Sequence, residues 1–409
     1  MKITGLITEY NPFHNGHLYH LSAAKEVTSS EGTVAVMSGD FTQRGAPAIT
    51  DKYTRAAMAL EAGVDAVLEL PVRYACGSAG RFAGGAVGLI EALGCVDTIV
   101  YGCEGSKAAT GRSDASGGAD GSRAFRGKTL TDDEYGIIRR IAALFETEPD
   151  DFRELFQKGL REGLGYPAAR AAAAKGLIPG AEDILSGPNN ILAIEYEKAL
   201  IAGGGRVRGV ALRRNDSGYF ESGSQIRRAI DELGGGDALL NLMPASSAKR
   251  LDQRIETDDF SEILAYRLIS LGREDLSRYE DVSQELASRI FRLRGRCFGF
   301  EEAVEELSAR NIPAARARRA LLHILLGMES AHGSGYGLPF IRVLGFRRDS
   351  SVMKKLKAHS ALPLVTKLAD APEEAWEEDH RASLIYNQIV FDKYGSRLPD
   401  DYHAAPVII

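Results

Sequence analysis

Cysteine is scarce in this 409-residue chain: Cys76, Cys95, Cys103 and Cys297 are the only four, and no two stand in Cys-x-x-Cys spacing. That scatter excludes a disulfide framework and a zinc knuckle, and the four read as small buried thiols. Long apolar runs are missing too. Nothing approaches the roughly 18 residues of a membrane-spanning helix, and the Met1-Lys2-Ile3 start lacks the apolar stretch of a secretory signal, so the expected location is the cytoplasm, with no membrane partner. An excess of one charge is also absent. Fifty Lys and Arg against 56 Asp and Glu leave a net charge of −6, which excludes a uniformly basic coat but leaves room for a local basic face. What is there is ordinary globular composition, 44% hydrophobic and 26% charged, which excludes a disordered or collagen-like chain. At about 150 residues per domain, the length suits roughly two or three domains.

The first hundred residues alternate short apolar runs with helical periodicity, the pattern of parallel strands joined by crossover helices. Strands are predicted at 3–8, 33–37, 66–70 and 98–101. Helices are predicted from Asn15 to Thr28, from Thr50 to Ala62 with a Thr50-Asp51 cap and a stop at Gly63, and from Ser78 to Leu93 with a stop at Gly94. Such sheets bind ligands beyond the carboxyl ends of their strands, so the loops at 8–17, 38–47, 71–77 and 102–105 should converge. The Gly-, Ser- and Ala-rich stretch 105–128 reads as a flexible surface insertion without chemistry. Helical segments near 132–146, 150–164, 168–175 and 188–200, a strand at 207–212 and a helix at 222–233 resume the α/β pattern, and Gly234-Gly235-Gly236 reads as a linker. Beyond it, 258–345 shows helical spacing. The expected fold is therefore α/β: a Rossmann-like parallel-sheet domain over 1–234, followed by a mainly helical C-terminal domain over 237–409. The acidic run from Glu373 to Asp379 reads as a solvated helix, with Trp376 as a packing anchor.

The segment ITEYNPFHNGHLYHL carries the most chemistry: a strand ends at Thr8, and His14 and His17 bracket Asn15-Gly16 at a helix start. A helix N-terminus offers unpaired N–H groups and about half a positive charge, which suits a triphosphate, and imidazoles add donors without a permanent cation. Metal binding is the rival, because His14, His17 and His20 stand three apart, but a closed site needs a fourth ligand and none stands nearby. A second helix start, Ser222-Gly223-Ser224-Gln225-Ile226-Arg227, places two hydroxyls and a guanidinium where phosphate oxygens and a leaving pyrophosphate could be held. The pair of motifs marks the HxGH nucleotidyltransferase superfamily.

The resemblance goes further. GLITEYNPFHNGHLYHL, GDFTQRGAPAITDKYTRAAMALEAGVDAVLELP, SAGRFAGGAVGLIEALG, PNNILAIEYEKAL and ARNIPAARARRALLHILL together resemble the bacterial tRNA(Met) cytidine acetate ligase family. The resemblance implies a ligase that uses ATP to activate acetate as acetyl-adenylate and transfers the acetyl group to the wobble cytidine of elongator tRNA(Met), giving N4-acetylcytidine. It also implies an ATP-binding nucleotidyltransferase domain followed by a tRNA-binding domain. The family's ATP loop falls on Ile7, Thr8, Glu9, Tyr10, Asn11, Pro12, Phe13, His14, Asn15, Gly16, His17, Leu18, Tyr19 and His20, with further nucleotide contacts at Gly102, Asn189, Arg214, Ser222 and Ser224. His14, His17 and Arg227 are the implied catalytic residues. The chain departs from the family pattern in YGCE for FGSE, SGSQIR for SATAIR, Tyr219-Phe220-Glu221 for YHD, and the insertion after the fourth strand.

The expected reaction needs no protein nucleophile. Positioning both reactants supplies about 7–11 kcal/mol in good cases, and donors aimed at developing charge contribute about 3–4 kcal/mol each. Mg2+ is expected to arrive with ATP, although no carboxylate motif reports it. Basic residues cluster at Arg289–Arg296, at Arg310, Arg316, Arg318 and Arg319, and at 342–357; the second cluster is the first choice for tRNA phosphates. Two alternatives share the motifs: a cofactor adenylyltransferase acting on a small phosphorylated acceptor, and a non-catalytic RNA-binding or nucleotide-sensing protein.

Overall fold

The computed structural model describes residues 1–104, 129–214, 223–233, 236–330, 337–372 and 375–409. The insertion expected at 105–128, Ser222, Tyr219-Phe220-Glu221, the Gly234-Gly235 linker and Glu373-Glu374 lie outside them.

One eight-stranded sheet organises the chain: β1 (Ile3–Thr8), β2 (Gly32–Ser38), β3 (Ala66–Leu70), β4 (Thr98–Cys103), β5 (Arg208–Arg213), β6 (Ile341–Phe346), β7 (Leu364–Val365) and β8 (Val407–Ile408). Their order is β5-β4-β1-β2-β3-β6-β7, with β8 beside β6. All five N-terminal strands run parallel, which requires crossover helices on both faces and explains their continuous apolar runs. Every residue of β2 and of β3 is buried.

Local signals set the helix ends. Helix α1 (Asn15–Thr28) begins at His14, whose ring caps it, and ends where Ser29 adopts a left-handed conformation at φ 48°. Helix α2 (Lys52–Glu61) is capped by the Asp51 carboxylate, which accepts from Tyr53 N at 2.9 Å and Thr54 N at 3.0 Å. Ser78 caps the helix Ala79–Ala92 by accepting from Arg81 N.

The boundary expected near 234–237 does not separate two independent layers. β6 belongs to the stretch read as helical, yet it completes the sheet antiparallel to β3, with Ala66 opposite Phe346 and Leu68 opposite Val343. Its Ile341–Leu344 run is buried because the free edge of β3 accepts it. The helices of the C-terminal part, Ser261–Ser270, Gln284–Leu293, Phe300–Leu307, Ala314–Leu326 and Glu377–Tyr394, build their own core. Phe41, Val72 and Cys76 from the loops after β2 and β3 enter that core, and Phe41 meets Phe260 and Tyr386 at ring-centroid distances of 5.6 and 6.0 Å. In the acidic run Trp376 packs as expected and Glu377 is exposed, but Glu378 and Asp379 have partners instead of solvent. Trp376 is buried against His380 and Tyr402, Glu378 pairs with Arg73, and the Asp379 carboxylate accepts from Val72 N at 2.6 Å.

Candidate functional site

The turn after β1 is tied to its neighbours by hydrogen bonds. Tyr10 takes a left-handed conformation at φ 45°, and its ring and that of Phe13 go into the core rather than toward solvent. The Asn11 side-chain oxygen accepts from Ile49 N at 2.7 Å, and the Glu9 carboxylate accepts from Gln43 N at 2.8 Å, so the loops after β1 and β2 are tied together. Beneath them Arg55 of α2 is fully buried and donates to the carbonyls of Thr50 at 2.9 Å, Glu9 at 2.8 Å, Ser38 at 3.0 Å and Gly39. A guanidinium with several donors suits this because it satisfies carbonyls at the ends of two strands at once.

At the start of α1 the two imidazoles form a reciprocal cap. His14 Nδ1 accepts from Gly16 N at 3.1 Å, and His17 Nδ1 accepts from His14 N at 3.3 Å. Their rings lie 3.7 Å apart between centroids. Because His14 Nδ1 is an acceptor, a neutral His14 carries its proton on Nε2. Burial, then the charges of Arg214 and Arg227, lowers the His14 pKa to about 3. Burial and Arg214 lower His20 to about 4. His17 is pulled well below the usual imidazole range by burial and by the neighbouring histidines. All three are therefore neutral near pH 7, donors without a competing cation.

The second motif comes to the same corner. Helix Gly223–Leu233 starts beside α1: a Cβ placed on Gly223 would lie 3.4 Å from Arg227 Nη1, 3.9 Å from the Asn11 carbonyl and 4.0 Å from His14 Nε2. Arg227 Nη1 donates to that carbonyl at 2.9 Å. Ser224 lies in the first turn of this helix.

Residues from β4 and β5 form a third wall. Arg214 follows β5, and its Nη1 donates to the Asn189 side-chain oxygen at 3.3 Å; Asn189 in turn donates to Glu104 Oε1 at 2.7 Å. A Cβ on Gly102 would meet Arg214 Cγ at 3.3 Å, so glycine leaves room for the guanidinium. The neighbours of these residues are structural. Asn190 is buried and bonds the Glu104 backbone and the Ile184 carbonyl, while Arg213 pairs with Glu134. Asn189 and Arg214 thus meet each other, whereas Asn190 and Arg213 are held by other partners.

Of the loops expected to converge, 8–17, 38–47 and 102–104 do so, but 71–77 turns into the helical part, where the Cys76 carbonyl contacts His323 Nε2 at 2.9 Å. The four arginines chosen for RNA phosphates also divide. Arg310 is exposed and Arg316 half-exposed, whereas Arg318 pairs with Glu301 at 3.0 Å and Arg319 with Asp281 at 2.8 Å. Arg342, in the third basic cluster, is buried and bound to Asp401 at 2.9 Å.

Sequence reasoning missed Arg55 and Lys52, which it took for parts of an ordinary helix. The available signal was cations at Lys52 and Arg55 on the side of α2 that also carries Ala56, Met58 and Ala59 into the core. Among the described residues no three His, Cys, Asp or Glu side chains gather as a metal cage.

The family model described as HIGH Nucleotidyl Transferase matches residues 1–115 and 131–400. The tRNA(Met) cytidine acetate ligase of Thermoanaerobacter sp. (strain X514) is 34% identical over 410 residues, covering 94% of this chain and 95% of that one. The tRNA(Met) cytidine acetate ligase of Clostridium perfringens (strain SM101 / Type A) is 32% identical over the whole of both chains. Thermotoga maritima TmcAL, in a crystal structure bound with alpha-thio ATP, superposes with a TM-score of 0.85 at 25% identity, covering all of both chains.

Proposed function

Given that the chain belongs to the HIGH nucleotidyl transferase family, among the tRNA(Met) cytidine acetate ligases, we propose that it activates acetate with ATP and acetylates the wobble cytidine of elongator tRNA(Met) in the cytoplasm. The observation that carries this reading is the meeting of neutral His14 Nε2, Arg227 and the Arg214–Asn189 pair at the N-terminus of α1. The triphosphate lies at that helix end, where the helix dipole favours anions.

An acetate oxygen attacks the α-phosphorus, and pyrophosphate leaves toward His14, His17 and Arg227. The imidazole N–H and the guanidinium stabilise the charge that develops on the leaving oxygens. Gly102, Asn189 and Arg214 hold the nucleotide on the β4 side, and the exocyclic amine of cytidine then takes the acetyl group from the adenylate. Mg2+, when bound, would neutralise phosphate charge. The exposed Arg310 and the half-exposed Arg316 contact tRNA phosphates, while Arg318 and Arg319 fix the helix Ala314–Leu326 that carries Arg316. No helix among the described residues is long and apolar enough to cross a membrane.

Incubation of the protein with ATP, labelled acetate and tRNA, followed by mass analysis of the nucleosides, tests the reading. Label in N4-acetylcytidine, with AMP released, is the expected result. AMP transfer to a small phosphorylated acceptor without acetate dependence would replace it with an adenylyltransferase.

A further inference from the structure

The corner just described accounts for ATP but leaves a second hollow beside it. The sheet order explains the two halves. β1 is flanked on one side by β4 and β5, which bring Gly102 and Arg214, and on the other by β2, which leads into the loop 39–49. On the β2 side opens a cavity of about 260 Å³, lined among others by Glu9, Asn11, Thr42, Arg44, Arg227 and Asp231, and closed by 254–258 of the helical part. It lies just below the range of about 300–1,000 Å³ typical for drug-sized ligands, so it suits one small group rather than a nucleotide triphosphate.

Its position and its polar groups fix its chemistry. Arg227 lines the cavity and also donates to the Asn11 carbonyl, so the hollow shares a wall with the phosphate corner. One oxygen of Glu9 accepts from Gln43 N at 2.8 Å; the other makes no hydrogen bond among the described residues. Arg44 is exposed at the rim, with no carboxylate partner among the described residues. The rim is held by Gly45, whose φ of +76° and close approach to the Arg319 backbone nitrogen, 2.6 Å from a would-be Cβ, seat the loop on the helix Ala314–Leu326. A side chain at Gly45 would push the two parts of the wall apart.

Resting on the functional reading above, we infer that this cavity takes the cytosine base of the RNA acceptor, that Glu9 accepts its exocyclic amine hydrogen, and that Arg44 meets a flanking phosphate. A carboxylate is the natural acceptor for the cytosine N4 amine, whereas uracil would turn an O4 lone pair toward it. Single-stranded bases can be splayed out of the stack into such a pocket. In the transfer step the N4 lone pair forms the C–N bond to the acetyl carbonyl carbon. The C–O bond to phosphate breaks, AMP leaves with its electron pair, and the N4 proton passes to Glu9 and on to water.

The test uses the full chain with Glu9→Gln, Glu9→Asp and Arg44→Gln. Two half-reactions are measured separately: acetate-dependent exchange of pyrophosphate into ATP, and acetyl transfer to tRNA. Binding of tRNA carrying cytidine or uridine at the modified position is measured beside them. Loss of a general base typically costs about 10²–10⁴-fold, so Glu9→Gln should lower transfer by at least about a hundredfold beyond any fall in exchange. It should also erase the preference for cytidine over uridine, with partial rescue of transfer in Glu9→Asp. Arg44→Gln should raise the KM for tRNA and reduce the salt slope of binding by about one. Equal falls in both half-reactions with the cytidine preference intact would overturn the inference while leaving the function standing. A wild-type protein showing neither acetate-driven exchange nor tRNA acetylation would overturn both.

Discussion

Lys52 offers the sharpest test of how the two parts of this chain are joined. Its ammonium is buried, bonded to Glu69 Oε1 at 2.8 Å, Asp401 Oδ2 at 2.9 Å and Ser383 Oγ at 2.8 Å, with Asp40 Oδ2 at 3.8 Å. Burial alone would lower its pKa, but the charges of Asp401 and Glu69 outweigh burial and raise it. Arg342 is the second cation, 2.9 Å from Asp401 and 3.4 Å from Glu69. Lys52→Met leaves three buried carboxylates around one remaining cation of this group. Asp401→Asn instead leaves two cations facing Glu69 and Asp40, a balanced count, with an amide still able to accept a hydrogen bond. Breaking a buried pair by removing one partner typically costs about 3–5 kcal/mol, a large share of a total stability of about 5–15 kcal/mol. Lys52→Met is therefore expected to lose about 3 kcal/mol or more and Asp401→Asn distinctly less, read as shifts of the urea midpoint at unchanged slope. The double variant should cost less than the sum, because each removal relieves the imbalance left by the other. A Lys52→Met loss below about 1 kcal/mol would show that the cluster is screened by water and refute the charge count.

Three further outcomes are expected. His14→Ala should lower acetate-dependent pyrophosphate exchange by about 10²–10³-fold, the typical cost of one donor to developing charge, while tRNA affinity in a filter-binding assay stays within about twofold; a matching fall in tRNA affinity would contradict the assignment of this corner to ATP. Stability should fall as pH drops, because His14 and His20 titrate near 3 and 4 when folded but near 6.5 when unfolded, so between those values the unfolded chain binds protons that the folded chain does not. Urea midpoints should thus decline from pH 6.5 downward, and His20→Phe should flatten the slope; an unchanged slope in that variant would mean that His20 is not buried neutral. Finally, Arg310→Gln with Arg316→Gln should weaken tRNA binding and its salt dependence with little change in the melting temperature, whereas Arg318→Gln should lower the melting temperature by breaking its pair with Glu301. The reverse pattern would exchange the roles of these arginines.

The site was legible where its chemistry is local. His14, Asn15, Gly16 and His17 announce a helix start, because the cap and its helix are adjacent in the chain, and α1 runs from Asn15 to Thr28 as expected. The parallel core was legible for the same reason: β2 and β3 are short apolar runs between helix caps. What could not be read depends on partners far away in sequence. Whether Lys52 and Arg55 are solvated or buried is decided by Asp401, Ser383 and the strand-end carbonyls, none of which stands near α2 in the chain. Asn189 and Asn190 are chemically identical, and only the turn of their helix sends one toward Arg214 and the other under Glu104. β6 failed to declare itself because six apolar-rich residues fit a buried helix turn as well as a strand, and the vacancy they fill belongs to β3.

That vacancy explains why the acceptor side can be built between two parts of the chain. A wall assembled from β1, the loop after β2 and the helical part would drift if the parts were joined only by a glycine linker near residue 235. Instead the chain returns to the sheet through β6 and again through β8, and Asp401 between them is pinned to Lys52 at the head of α2. α2 also carries Arg55, which holds the carbonyls of Glu9, Ser38 and Gly39. The placement of Glu9 and the placement of the C-terminal segment therefore go through one short helix. Arg55 also steadies the turn that leads to His14, so damage to α2 should disturb both half-reactions, and acetyl transfer the more, because transfer is the step that needs both parts in register.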